Sequence, residues 1–182
     1  MIIKPKVLKG RFVRLEPITP DMRDEMRGAI DCDPDAWEIM SVNGCGEGFP
    51  EWWAATLGGH ERGDAVAFAI RRIADKKVVG ASSFLNIRRA HKGLEIGATF
   101  LHPEVRSGPV NPESKRLMLA HAFDAGAIRV EFMIDARNAR SQAAMARLGA
   151  TREGVLRADR ITWTGHVRDT VLFSILRDEW PL

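Results

Sequence analysis

Three β-rich apolar runs follow one another with almost nothing between them: AVAFAIRRI (65–73), KVVGASSFLNI (77–87) and GLEIGATFL (93–101). The first two are joined by ADK, and RRAHKG leads into the third. A crossover to a parallel neighbour takes a dozen or more residues, so connections this short permit only an antiparallel meander. That meander limits what the rest of the chain can build.

Around it the pattern alternates between helix and strand. RFVRLEPI (11–18) reads as a first strand. Thr19 then reads as an N-cap, Pro20 as the first helical residue and Asp21 as a first-turn acid, with Met22, Met26, Ala29 and Ile30 on one apolar face. Helical stretches cover about 35–40 and 51–62. Gly44, Gly46 and Gly48 between them imitate a phosphate loop, but they follow a helical stretch rather than a strand, and Glu47 would repel phosphate; a flexible loop fits better. After the meander, Met118, Leu119, Ala122 and Phe123 mark a helix, and IRVEFMI (128–134) a strand. NARSQAAMARLGA is a helix capped by Asn138, with Gly149 at its C′ position. GVLRADRITW and HVRDTVLFSIL form a hairpin about Thr164-Gly165, in which Arg168 and Asp169 read as a structural ion pair. The expected fold is α/β: one domain over 1–182 with a mixed, mainly antiparallel sheet flanked by helices.

Composition narrows the class. No apolar run approaches the ~18 residues of a membrane span, and the N-terminus lacks a signal-peptide apolar stretch. Cys32 and Cys45 show no metal-ligand spacing, so no metal is expected, and their number fits a reducing compartment; the expected location is cytoplasmic. The net charge is +3, but the basic residues are spread out and tyrosine is absent, which argues against nucleic acid.

The segment RSGPVNPESK (106–115) combines a stiff turn, a helix start and an arginine. A helix N-terminus presents unpaired N–H groups and about half a positive charge, a ready anion site to which Arg106 would add a charged donor. Asn111 is placed to cap the helix and Pro112 falls at its first position. An ordinary strand-to-helix connection would look similar.

Five stretches together resolve that ambiguity: LKGRFVRLEPIT, LEIGATFLHPEVR, VNPESKRLMLAHAF, DARNARSQAAMARLGATREGVLR and VRDTVLFSILRDEWP. They resemble the GNAT superfamily of acetyl-CoA-dependent N-acetyltransferases, and within it the RimJ and RimL group of ribosomal-protein N-terminal acetyltransferases. The resemblance spans nearly the whole chain and is weakest over about 31–63. It implies the GNAT acyl-CoA N-acyltransferase fold, with a V-shaped opening between the fourth and fifth predicted strands that receives acetyl-CoA as co-substrate. The pantetheine arm would pair with backbone around Phe100, Leu101 and His102, and the pyrophosphate would rest on the turn formed by Arg106, Ser107, Gly108, Val110 and Asn111. Pro109 departs from the family pattern and removes one N–H donor, a loss worth about 1.5–3 kcal/mol. Asn138 would contact the pantetheine arm. A small-molecule or peptide amine would be the acceptor, and a homodimer is implied by analogy.

Acyl transfer to an amine needs a neutral nucleophile, a stabilised carbonyl oxygen and a proton for the departing thiolate. Glu95, inside LEIGATF, is the expected base: Leu94, Ile96 and Ala98 alternate with Glu95, Gly97 and Thr99, placing the carboxylate on a polar face. The tyrosine acid of many relatives is absent, so Ser141 in N-x-x-S takes its place, as donor or as a group that orients the thioester. His102 and His121 are weaker base candidates, and Trp37, Trp52 and Trp53 are candidate walls of the acceptor pocket or core residues. A non-catalytic acyl-CoA-binding or sensor module is the alternative, favoured by Pro109 and the missing tyrosine.

Overall fold

The computed structural model describes residues 1–181. Eight strands form one sheet: β1 (Leu8–Lys9), β2 (Val13–Pro17), β3 (Val66–Arg72), β4 (Val78–Arg88), β5 (Gly93–Leu101), β6 (Arg129–Asp135), β7 (Thr151–Ile161) and β8 (Val167–Leu176). Their spatial order is β1-β2-β3-β4-β5-β6-β8-β7. Helices α1 (Arg23–Ile30), α2 (Pro34–Trp37) and α3 (Phe49–Arg62) precede β3; α4 (Val110–Asp124) joins β5 to β6, and α5 (Ala139–Leu148) joins β6 to β7. Every neighbouring pair is antiparallel except β5 and β6, whose connection through α4 is long enough to bring β6 in parallel.

Both faces of the sheet are covered, and β3 shows how. Val66, Phe68 and Ile70 pack into a core shared with Met118, Leu119 and Ala122 of α4 and Met145 of α5. The intervening Ala67 and Ala69 point the other way, into a core with Met26, Phe49, Trp52 and Trp53. A strand buried on both faces loses the polar–apolar alternation of a half-exposed one, which is why this run reads as almost continuously apolar. Small alanines on the second face accommodate the large aromatic rings of α3 and the stretch before it.

One irregularity governs the rest. In the β4–β5 pair, Ala81 faces Phe100 but Ser83 faces Gly97, so Ala98 and Thr99 share Ser82 as their opposite residue. Ala98 adopts φ 46°, the left-handed region, to make this bulge. The extra residue reverses the side-chain alternation. Leu94 and Ile96 enter the core under α4 and α5, whereas Phe100, four residues after Ile96, enters the opposite core and stacks on Trp37 at 4.8 Å. The simple alternation expected for 93–101 therefore ends at Ala98.

Other local expectations also shift. Thr19 makes no side-chain cap, because a short 3-10 turn (Pro20–Met22) precedes α1. The helix expected over 35–40 is the single turn of α2, α3 begins two residues earlier than expected, and β1 is an additional edge strand. Helix α4 starts at Val110 after Pro109, so Asn111 and Pro112 lie inside its first turn and Asn111 is not the cap. Asn138 does cap α5, accepting the Ser141 N–H at 3.0 Å, and Gly149 closes it with φ 90°. Trp37, Trp52 and Trp53 are all core residues. Arg168 and Asp169 form no ion pair: Arg168 donates to the Met133 carbonyl, while Asp169 accepts the Ala158 N–H.

The first turn of α4 is anchored to the opposite end of the sheet. The Glu113 carboxylate accepts the N–H groups of Arg11, Phe12 and Val13 at 2.8, 2.7 and 2.8 Å. Gly10 permits this approach, since a Cβ there would lie 2.4 Å from Glu113 Cδ. Glu113→Ala is expected to cost about 1.5–3 kcal/mol of stability, read as a lower urea midpoint with an unchanged slope. Gly10→Ala should lower the midpoint as well, by displacing the same carboxylate.

Candidate active site

Strands β5 and β6 pair only from Gly93–Arg129 to Glu95–Glu131. Beyond Glu95 they part, and a cleft of about 440 Å3 opens between residues 96–101 of β5 and 132–135 of β6. The turn before α4 closes one end, and α5 closes another side along its length. This is the V-shaped opening expected between those two strands.

Most of the residues singled out from sequence line this cleft: Phe100, Leu101, Arg106, Ser107, Gly108, Asn111, Asn138 and Ser141. At the turn, the N–H groups of Ser107, Gly108, Val110 and Asn111 donate to no acceptor among the described residues. Ser107 adopts φ 64°, which turns the chain into the helix start. Successive unpaired amides at a helix N-terminus form an anion-binding concavity. Pro109 supplies none, but four donors remain around it. Asn111 also contributes a buried Oδ1 that has no hydrogen-bond partner. Such an orphan acceptor costs stability unless a ligand donor meets it.

Three residues depart from their expected placement. His102 lies outside the cleft lining, and its N–H already donates to the Val79 carbonyl at 2.8 Å. The side chain of Val110 is in the core and only its N–H faces the turn. Arg106 lines the cleft, but its guanidinium is committed: Nε donates to the Leu101 carbonyl at 2.9 Å, Nη1 pairs with Asp33, and the group lies over the Phe100 ring. Arg106 therefore braces the turn against the strand end, while its Nη2 donates to no acceptor among the described residues. Of the histidines, His121 is buried and bonded to the Lys4 carbonyl, away from the cleft.

Glu95 is 4% exposed and is not itself among the residues that line the cleft; its side chain lies against Gly97, two residues further along β5, which is. Its Oε1 occupies the space where a Cβ on Gly97 would sit, 2.5 Å away, so Gly97 is what lets the carboxylate lie against the cleft floor. Asn86 Nδ2 donates to Oε2 at 2.7 Å. Burial raises the pKa of this carboxyl, opposed by the positive field of Arg160 and by the Asn86 hydrogen bond.

The residue that sequence reasoning missed is Lys115. It lies one helical turn beyond Asn111 on α4, lines the cleft and is 4% exposed. Its Nζ donates to Ser82 Oγ at 3.0 Å and to Thr99 Oγ1 at 2.5 Å, and no carboxylate of the described residues pairs with it. Those hydroxyls come from β4 and from the bulge in β5. Burial pushes the ammonium pKa down to about 7, against the weaker opposing pull of Glu95. The detectable signal was a lysine at i, i+3 and i+4 from Met118 and Leu119 on the apolar face of a helix.

Beside Arg106, which is paired with Asp33, the cleft lining carries Lys115, Arg116, Arg140, Arg147 and Arg168 against Asp135 as its carboxylate, and Asp135 is held by Arg137. The surplus is cationic and suits a polyanionic ligand. The lining near α2 is apolar, formed by Ala36, Ile39 and Met40.

Residues 13–151 match the family model described as an acetyltransferase (GNAT) domain. A provisionally assigned acetyltransferase from T. thermophilus is 36% identical over 100% of this chain and 94% of its own, with a TM-score of 0.87. A GCN5-related N-acetyltransferase from Brucella melitensis is 28% identical over 98% of this chain and 81% of its own, with a TM-score of 0.89. Mycobacterium smegmatis RimJ, solved with CoA-disulfide, shares the fold at 20% identity over 98% of this chain and 90% of its own, TM-score 0.84. No curated protein matches the sequence.

A depressed lysine pKa fixes the sign of a stability test. Between about 7 and 10.5 the unfolded chain holds the Lys115 proton and the folded one does not, so stability rises with pH across that window. Lys115→Met removes this dependence. The variant is expected to melt above the parent at neutral pH, by about 2–4 °C for each kcal/mol gained. The difference should narrow as pH is raised toward 10.5, which thermal melts at a series of pH values would show.

Proposed function

The chain belongs to the GNAT acetyltransferase family, and from that premise we propose that it transfers the acetyl group of acetyl-CoA to a primary amine by direct attack on the thioester. The acceptor is a small-molecule or peptide amine. The carrying observation is the cleft itself: four free N–H groups stand at one end, and the Glu95 carboxylate lies against Gly97 of its lining, next to the point where β5 and β6 part.

The residues present fit acetyl-CoA. The N–H groups of Ser107, Gly108, Val110 and Asn111 hold the pyrophosphate, aided by the cationic lining. The orphan Asn111 Oδ1 accepts a cofactor N–H or O–H. The Asn138 Oδ1 is used in capping α5, so its Nδ2 donates to the pantetheine arm. Bound acetyl-CoA supplies the activated acyl group. Ser141, at the start of α5, orients the thioester through its hydroxyl. The stretch carrying Asn138 and Ser141 favours a RimJ/RimL-like enzyme within the family.

On the acceptor side, Ala36, Ile39, Met40 and Met133 make an apolar approach that disfavours an ammonium and favours the neutral amine. Glu95 removes the proton lost by that amine, directly or through a water over Gly97. It must be ionised to do so, and burial raises its pKa; activity is therefore lost as pH falls through that raised value.

Calorimetry with acetyl-CoA, paired with thiol release across a panel of amines, tests the proposal. Glu95→Gln is expected to lower kcat by about 10²–10⁴-fold while the affinity for acetyl-CoA stays close to that of the parent. Gly97→Ala should show the same pattern more weakly, because the added Cβ displaces the carboxylate. Absence of any binding heat from saturating acetyl-CoA would overturn the assignment.

A further inference from the structure

We propose that Lys115 is the proton donor to the departing thiolate, the role left vacant in a chain that contains no tyrosine. The inference rests on the acetyl-transfer reading above and deepens it by naming a second proton-handling residue.

The geometry carries it. Lys115 stands between the amide-lined turn and the point where β5 and β6 part: it follows Asn111 by one turn of α4 and reaches across to the bulge at Ala98 and Thr99. An arm held at the turn and running along β5 toward Glu95 passes it. An ammonium has three N–H donors and no acceptor. Two of them are occupied by Ser82 and Thr99. The third remains for the cleft that Lys115 lines.

Glu95 pulls on Lys115 from β5, and Ser82 of β4 and Thr99 of β5 face it as neutral hydroxyls. Asp135 of β6, Arg168 of β8, Arg106 of the turn, Arg116 of α4 and Arg140 and Arg147 of α5 border the same cleft, with Asp135 and Arg106 already paired to Arg137 and Asp33. Chemistry favours Lys115 over Ser141 for this task. A thiol titrates near ~8.5, so an ammonium that titrates at about 7 yields its proton to a thiolate downhill. A serine hydroxyl does not ionise in this range.

The step balances. The amine nitrogen bonds to the thioester carbon, and its proton passes to the Glu95 carboxylate. The C–S bond then breaks, sulfur leaves with the electron pair, and it takes one proton from the Lys115 ammonium. Glu95 has gained one proton and Lys115 has lost one; exchange with solvent restores both.

The experiment compares the parent, Lys115→Met and Lys115→Arg. Free CoA is titrated calorimetrically just above neutral pH in buffers of different ionisation enthalpy. Anionic CoA should return the proton to Lys115, so the parent is expected to take up a large fraction of one proton more than either variant. In steady state, a hydrazide acceptor that stays neutral throughout removes the amine's own titration. With it, kcat for the parent falls on the alkaline side as Lys115 deprotonates; both variants lose that limb, and kcat drops by about 10²–10⁴-fold with CoA affinity largely retained. Lys115→Arg keeps the donors to Ser82 and Thr99, so it reports on proton transfer even if Lys115→Met is poorly folded. Equal proton uptake, or an alkaline limb that persists in both variants, overturns the role of Lys115 and leaves the acetyl-transfer reading intact. Absence of CoA binding by the parent overturns both.

Discussion

Everything at the site follows from β5 and β6 ceasing to pair after Glu95. Two adjacent strands in a sheet normally satisfy each other's backbone along their whole length. Here the parallel ladder lasts three residue pairs, and the bulge at Ala98 then turns β5 away. The gap leaves an exposed strand edge of the kind to which an extended ligand can add. The same bulge sends Phe100 into the core beneath Trp37 and brings Thr99 round to Ser82 and Lys115. A single inserted residue thus anchors the far end of the cleft in the aromatic core and brings Thr99 to a buried amine in its lining.

The electrostatics of the cleft divide into two kinds of charge. Arg106, Asp135 and Arg137 are paired, and their work is mechanical: Arg106 ties the turn to the strand end and to Asp33, and Asp135 holds the Arg137 N–H and guanidinium at the end of β6. Glu95 and Lys115 are buried without an ion-pair partner within salt-bridge distance among the described residues. Burial then acts on them in opposite directions, raising the Glu95 carboxyl and lowering the Lys115 ammonium to about 7. Groups shifted in this way are those suited to exchanging protons during a reaction.

Much of this was legible in the linear chain. The short connections of the meander required antiparallel neighbours, the Asn138 cap and Gly149 stop delimited α5, and RSGPVNPESK was readable as a stiff turn leading into a helix, because each depends on residues within a few positions of one another. Glu95 could be found because one acidic residue stood in an apolar strand. Its exact setting could not: the polar face assigned to it is buried, and contact with the cleft runs through Gly97. The pairing of Arg106 with Asp33 was not legible, because the two lie 73 residues apart. The three tryptophans were ambiguous because an aromatic residue in a helix looks the same whether it faces core or cleft.

Sequence alone determined the order of elements, the antiparallel meander, the helix-start turn and the placement of an acid in the strand before it. These follow from local propensity, chain length between strands and the chemistry of single side chains. Tertiary structure alone decided that β5 would break its alternation at Ala98, that Arg106 would be neutralised and that Lys115 would be buried without a counter-charge. Burial and charge pairing are properties of the space around a residue. That space is built by segments far apart in the chain, so no local pattern encodes it.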